Sequence, residues 1–234
     1  MKILKAPTAR LWDKIWLNNN SFSYHESVID QVTKLKSVST VLEVGAGSGA
    51  DLLELKKLGY KVTFSDFSNV AIKNINKRDP QLKTIKCDAR NLPFTDDSFD
   101  LVYCLGLLEH FSYKDRQKII SELFRVGKKY ILIDVPQSYT LTSLIKKLLM
   151  TIGKWKYGDE IEFSYKKLNN EINESIKENK RVYSIYGREL IPLPRNLKNK
   201  FFMRLPKIIR EIYITLINKF YFLCGCLGII YKKT

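Results

Sequence analysis

The residues best suited to chemistry gather in one short stretch, Glu43-Val44-Gly45-Ala46-Gly47-Ser48-Gly49. It follows the β-branched run Thr40–Val44 and opens a helical pattern. Glycines at that spacing allow a sharp turn and let a ligand approach the backbone more closely than side chains would permit. A bare tight turn would use the same pattern. The glycines alternate with other residues throughout, unlike the dinucleotide pattern G-x-G-x-x-G, so the third glycine that lets helix meet strand is lacking. No Lys-Ser/Thr pair follows to hold a triphosphate. Two carboxylates then fall where a nucleoside would need them. Asp66 ends the run Val62-Thr63-Phe64-Ser65, 17 residues beyond Gly49, where a doubly wound fold sets an acid over ribose hydroxyls. Its alternative is to cap the helix that begins at Ser68. Asp88, in Cys87-Asp88-Ala89, could accept from an exocyclic adenine amine, or serve only as a turn aspartate. Of the chain's two histidines, His110 follows the apolar run Phe99–Leu105, at the sheet edge where such folds bind ligands. It is the candidate general base, with a structural capping role as its alternative. His25, beside Tyr24, is the weaker candidate.

The elements that must position these groups are legible as a pattern. Leu11, Trp12, Ile15 and Trp16 recur at helical spacing, as do Val28, Val32 and Leu35, with a polar break at 18–21. Strands are predicted over Thr40–Val44, Lys61–Ser65, Leu82–Cys87, Phe99–Leu105 and Lys129–Val135. Helices are predicted over Asp51–Leu58, Ser68–Arg78 and Lys114–Val126. That alternation predicts βαβ units and a mostly parallel sheet covered on both faces. Beyond Pro136 the pattern loosens. Helices are expected over Leu141–Ile152 and Tyr165–Lys177, and strands over Arg181–Tyr186 and Gly228–Lys232. Ile208, Ile212, Leu216 and Phe220 keep helical spacing.

The ordered set of glycine loop, Asp66, Asp88 and Leu108-Glu109-His110 resembles the class I S-adenosylmethionine-dependent methyltransferases, in particular the small single-domain group of quinone-biosynthesis and envelope-sugar enzymes. The resemblance is close over Val41–Pro136. It is looser at 158–164, at Tyr186-Gly187-Arg188 and at the closing segment 228–233. It implies an α/β, doubly wound, mostly parallel seven-stranded sheet of Rossmann-like type, its last strand antiparallel. Residues 1–37 would be a helical lead-in or lid, 38–136 the cofactor-binding core, and 137–234 acceptor-side helices with the last two strands, all in one domain. It also implies roles around S-adenosyl-L-methionine. Glu43 would reach the methionine ammonium, and Gly45, Ala46, Gly47 and Gly49 would line the methionine portion. Asp66 would take the ribose hydroxyls, Phe67 the adenine face, and Asp88 and Ala89 the adenine edge. Cys104 and Leu105 would offer backbone carbonyls to the ammonium.

Methyl transfer from a sulfonium is an in-line displacement at an activated carbon, so positioning alone can contribute about 7–11 kcal/mol. A general base is needed only for a weakly acidic acceptor. The segment Cys104-Leu105-Gly106-Leu107 departs from the Asn-Pro-Pro-aromatic motif of amide and adenine-amine methyltransferases. Hydroxyl, carboxyl and carbon acceptors therefore remain.

Composition bounds the partners. The 234 residues carry 40 Lys+Arg against 24 Asp+Glu, a net charge of +16. Residues 137–234 hold +11 of it. Six basic residues, Arg195, Lys198, Lys200, Arg204, Lys207 and Arg210, interleave with Phe201 and Phe202. Such a surface suits an anionic membrane or a lipid-linked phosphate acceptor, and less well an RNA backbone. Packing of these helices on the core, shielding an acceptor pocket, is the plain alternative. A non-catalytic cofactor-binding subunit at a membrane and an RNA methyltransferase are the rival functions; oligomeric state stays open. The cysteines Cys87, Cys104, Cys224 and Cys226 lack metal-ligand spacing, so no metal is expected. The start, Met1-Lys2-Ile3-Leu4-Lys5, lacks the apolar stretch of a signal peptide. The uncharged run Phe220–Tyr231 falls short of the roughly 17 residues that span a bilayer. A cytoplasmic, reducing location is expected, with peripheral membrane contact open.

Overall fold

The β-branched run Thr40–Val44 forms β1, an interior strand of a seven-stranded sheet in the computed structural model. The structure describes residues 7–17, 22, 24–155, 157, 160–177, 179–189 and 206–234. The other strands are β2 (Lys61–Asp66), β3 (Lys83–Lys86), β4 (Phe99–Leu105), β5 (Gly127–Pro136), β6 (Lys180–Arg188) and β7 (Cys226–Lys233). Their order is β3-β2-β1-β4-β5-β7-β6, with β7 antiparallel to both neighbours and the first five strands parallel. This is the expected fold class. Crossovers place α1 (Ala9–Leu17), α2 (Glu26–Thr33), α3 (Ala50–Lys57), α4 (Asn69–Arg78), α5 (Tyr113–Val126), α6 (Leu141–Thr151), α7 (Tyr165–Ser175) and α8 (Lys207–Lys219) around it.

Alternation along the strands separates two cores, because successive side chains point to opposite faces. Leu42, Val44, Val102, Ile131 and Ile133 meet α5 and α7 on one face. Val41, Leu101, Tyr103 and Leu132 meet α2, α3 and α4 on the other. Both faces are apolar and buried, so the register of the central strands is strongly specified. Four helices, α4 to α7, start on side-chain caps: Ser68, Ser112, Thr140 and Ser164 each accept an amide of the following turn. Arg116 of α5 donates to both carboxylate oxygens of Glu171, at 2.7 and 2.9 Å, pinning α7 in a buried pair.

Several elements differ from expectation. The strand predicted over Leu82–Cys87 is shorter, because the Leu82 amide closes a turn on the Asp79 carbonyl at 3.1 Å. The strand expected over Arg181–Tyr186 extends to Arg188, whose guanidinium is buried against Asp134 at 2.6 Å. Of the six interleaved basic residues, Arg195, Lys198, Lys200 and Arg204 lie outside the described residues, with Phe201 and Phe202; so does the side chain of Lys207. The opening residues 1–5, the break at 18–21 and the looser match at 158–159 lie outside them too. Among the described residues no helix is long and apolar enough to cross a membrane.

Candidate active site

At the C-terminal ends of β1, β2, β4 and β5 the chain encloses a cavity of about 600 Å³, within the range of small-molecule sites. The glycine turn forms one wall. Gly45 and Ala46 donate their amides to the Ser65 carbonyl at 2.9 and 3.0 Å, binding the turn to the end of β2. Gly47 sits at φ +52°, and a Cβ there would lie 2.3 Å from the Trp16 ring of α1. Only glycine fits that conformation and that approach.

Gly49 serves a different end. It does not line the cavity; a Cβ on it would lie 2.7 Å from Ile75 of α4 and 3.1 Å from Phe64 of β2. It is thus the close-packing glycine that the sequence spacing had suggested was missing. Its φ of +66° also starts α3 without a side-chain cap.

Asp66 lines the cavity at the end of β2. Its Oδ2 accepts the Gly47 amide at 2.9 Å and its Oδ1 the Ser68 amide at 2.8 Å. Burial pushes this carboxyl up to about 6, against those stabilising amides. The expected alternative, a helix cap, is performed by Ser68 itself, whose Oγ accepts from the Ala71 amide. Glu43, in β1, is buried and accepts from the Tyr103 hydroxyl at 2.9 Å. Burial raises its carboxyl well above the usual range, and the nearby Asp51 charge adds to the effect.

Phe67, Leu105, Gly45 and Ala46 also line the cavity. Cys104 does not; it lies fully buried within β4, where burial pushes its thiol well up. Nor do Asp88 and Ala89 reach the cavity wall. Arg90 takes the Asp88 carboxylate, with Nη2 to Oδ2 at 2.6 Å, and that pair holds Asp88 below the ordinary carboxylate range. Ala89 packs into the core with Val44 and Leu108. The local reason is the short β3: the chain turns at once, and the Asn91 amide bonds back to the Asp88 carbonyl.

His110 closes the 3-10 turn Leu108–His110 and is buried. Trp12 of α1 meets it edge-on with centroids 4.9 Å apart. Its Nε2 lies 4.0 Å from Glu109 Oε1 and 3.9 Å from Glu160 Oε1. His25 also lines the cavity, and Asp51 holds it: the carboxylate accepts the His25 amide at 2.6 Å and pairs with Nδ1 at 2.8 Å. Burial would raise the Asp51 carboxyl, but the His25 contacts outweigh it and leave the group below its usual value.

Sequence reasoning missed much of the far wall. Glu109 is buried, with Oε2 lacking a partner, and burial together with Glu160 lifts its carboxyl well above the usual range. Glu160 receives the Trp155 indole N–H at 3.2 Å. Lys146 Nζ lies 3.1 Å from Glu162 and 3.5 Å from Glu160. Glu109 was available in the sequence, one residue from His110; the arrival of residues 146–162 against it carried no local signal.

A doubly wound, mostly parallel sheet whose last strand runs antiparallel to both neighbours, with a glycine turn after β1 and an acid ending β2, is the class I S-adenosylmethionine-dependent methyltransferase fold. Residues 41–129 match the family described as a methyltransferase domain. A Mycobacterium tuberculosis protein named as a probable S-adenosylmethionine-dependent methyltransferase is 25% identical over 130 residues, covering 54% of this chain and 46% of that protein. The demethylmenaquinone methyltransferase of Streptomyces avermitilis is 35% identical over 89 residues, covering 38% of this chain and 37% of that enzyme. The chain thus spans less than half the length of these relatives. A SAM-dependent methyltransferase from Thermotoga maritima superposes with TM-score 0.67 at 17% identity, covering 97% of this chain and 100% of that one. Magnesium protoporphyrin IX methyltransferase of Synechocystis, solved with bound SAH, superposes with TM-score 0.59 at 13% identity, covering 97% and 83%.

Proposed function

We propose that this chain transfers the methyl group of S-adenosylmethionine to a small or lipid-linked acceptor through a hydroxyl, carboxyl or carbon atom. The observation that carries the reading is that one cavity is lined both by the glycine turn with Asp66 and by the buried group Glu109, His110 and Glu160. The residues fit the cofactor. Gly47 presents backbone with no room for a Cβ, and Asp66 keeps lone pairs free after accepting two amides, as ribose hydroxyls require. Asp51, held below its usual range, adds negative charge beside the place a methionine ammonium would take, and Glu43 offers a carboxyl acceptor next to it. The bound cofactor supplies a methyl group already activated by its sulfonium.

The chain's own residues orient the acceptor and remove its proton. Trp12 and Trp16 of α1 roof the cavity and reduce the access of water. His110 would accept a proton at a ring nitrogen, with Glu109 and Glu160 stabilising the resulting imidazolium at short range. Incubation with S-adenosylmethionine and a lipid extract, followed by release of S-adenosylhomocysteine, tests the reading. Release above an extract-free control supports it, and silence across aqueous and lipid extracts overturns it.

A further inference from the structure

Helix α6 has its polarity inverted. Its buried residues are the polar Ser143 and Lys146. Leu141, Leu144, Leu148 and, just past its end, Ile152 are more than half exposed, at 60, 63, 62 and 52%. That spacing places them on one stripe of the helix. The orientation is locked from inside: Lys146 pairs with Glu162 and Glu160, and Ser143 Oγ donates to Glu162 at 2.8 Å. Rotating the leucines inward would strip those buried charges of their partners, which costs more than the leucines would gain.

The apolar stripe does not stand alone. Tyr139, at 93% exposure, precedes α6. The turn Tyr221–Leu223 is held beside the helix start by Gln137 Nε2, which donates to the Phe222 carbonyl at 2.7 Å. Gly225 leaves room there for Thr142. This adds Phe222 and Leu223, both more than half exposed, to the same face. Lys147 and Lys154 fringe it, exposed, on a chain with net charge +16. Contiguous exposed apolar groups with a basic fringe mark a surface that meets an apolar phase with anionic headgroups.

We propose that the face built from α6, Tyr139 and the turn Tyr221–Leu223 docks on the surface of an anionic lipid bilayer. The helix lies in the interface and does not cross it, since no described helix is long and apolar enough to span. The inner side of α6, through Ser143, Lys146 and Leu149, lines the cavity. The bilayer-facing helix is therefore also a wall of the acceptor chamber, and an amphiphile is the acceptor class it would admit. That last clause rests on the methyl-transfer reading; the docking does not.

Sedimentation of the full chain with phosphatidylcholine vesicles, with and without phosphatidylglycerol, tests the docking. The chain is expected to pellet with the phosphatidylglycerol vesicles and less so at high salt. Leu144→Glu with Leu148→Glu is expected to lower the bound fraction at least about tenfold, with circular dichroism and S-adenosylhomocysteine affinity unchanged. A milder Phe222→Ser variant is expected to weaken binding several-fold, so the result does not hang on one pair of substitutions. Wild-type protein left in solution with both vesicle types overturns the proposal. So does undiminished binding by all variants, or a soluble dimer that the glutamate variant splits without any lipid binding. Absence of S-adenosylhomocysteine affinity in the wild type would instead strike the methyl-transfer reading alone.

Discussion

The Asp66 carboxylate accepts the Gly47 amide at 2.9 Å, joining the end of β2 to the glycine turn after β1 across 19 positions of sequence. The contact makes one rigid unit of two groups that a nucleoside cofactor needs. Replacing Asp66 with Ala is expected to lower S-adenosylhomocysteine affinity by two orders of magnitude or more in calorimetry. The loss of two amide partners should also cost about 1–3 kcal/mol of stability while leaving the circular dichroism spectrum of the folded state intact. Unchanged affinity would refute the ribose assignment.

Affinity should also follow pH through this group. Burial lifts Asp66 from 3.8 to about 6, so below that pH the folded protein holds it protonated and a poorer acceptor. Cofactor affinity is expected to rise as pH passes upward through about 6 and then level off. Stability runs the other way. The folded state binds the proton more tightly than the unfolded chain, so this group's contribution is full below 3.8 and lost as pH rises through about 6, on the order of 3 kcal/mol in all. Calorimetry from pH 5 to 8, repeated with Asp66→Asn, checks both; a wild-type affinity profile as flat as the variant's excludes the mechanism.

At Gly47 the backbone and the roof of the cavity are coupled. Gly47→Ala places a Cβ at positive φ and against Trp16, so it should destabilise by about 1–3 kcal/mol and weaken cofactor binding. Combining it with Trp16→Ala should recover part of the loss, because the steric component is removed and the backbone strain stays. Additive effects in the double-mutant cycle would show that the ring does not press on the turn.

His110→Asn is expected to slow turnover by about 10²- to 10⁴-fold with cofactor affinity retained, if proton removal limits the reaction. With cofactor saturating, the low-pH limb of the rate profile should disappear with it. An unaltered profile would assign His110 to packing against Trp12.

The buried pair between α5 and α7 gives a stability test away from the cavity. Glu171→Gln leaves Arg116 buried without its counter-charge and should cost about 3–5 kcal/mol in denaturant unfolding. Arg116→Met combined with Glu171→Met should cost much less. Equal losses would mean that the pair contributes net attraction well beyond its desolvation.

Periodicity in the chain was enough to place β1 and β4 to the residue and to set the central α/β order, because alternation along strands and the helical repeat are properties of neighbouring residues. The glycine turn and Asp66 were legible for the same reason: each lies at a strand end, where the next element must begin. The fates of Asp88, Gly49 and α6 were not. Arg90 captures Asp88 through its side chain, Gly49 is claimed by Ile75 of another helix, and α6 turns its lysine inward because Glu160 and Glu162 return to meet it. Those outcomes depend on which surfaces the crossovers bring together, and the balance between burying leucines and pairing buried charges exists only once the chain has folded around them.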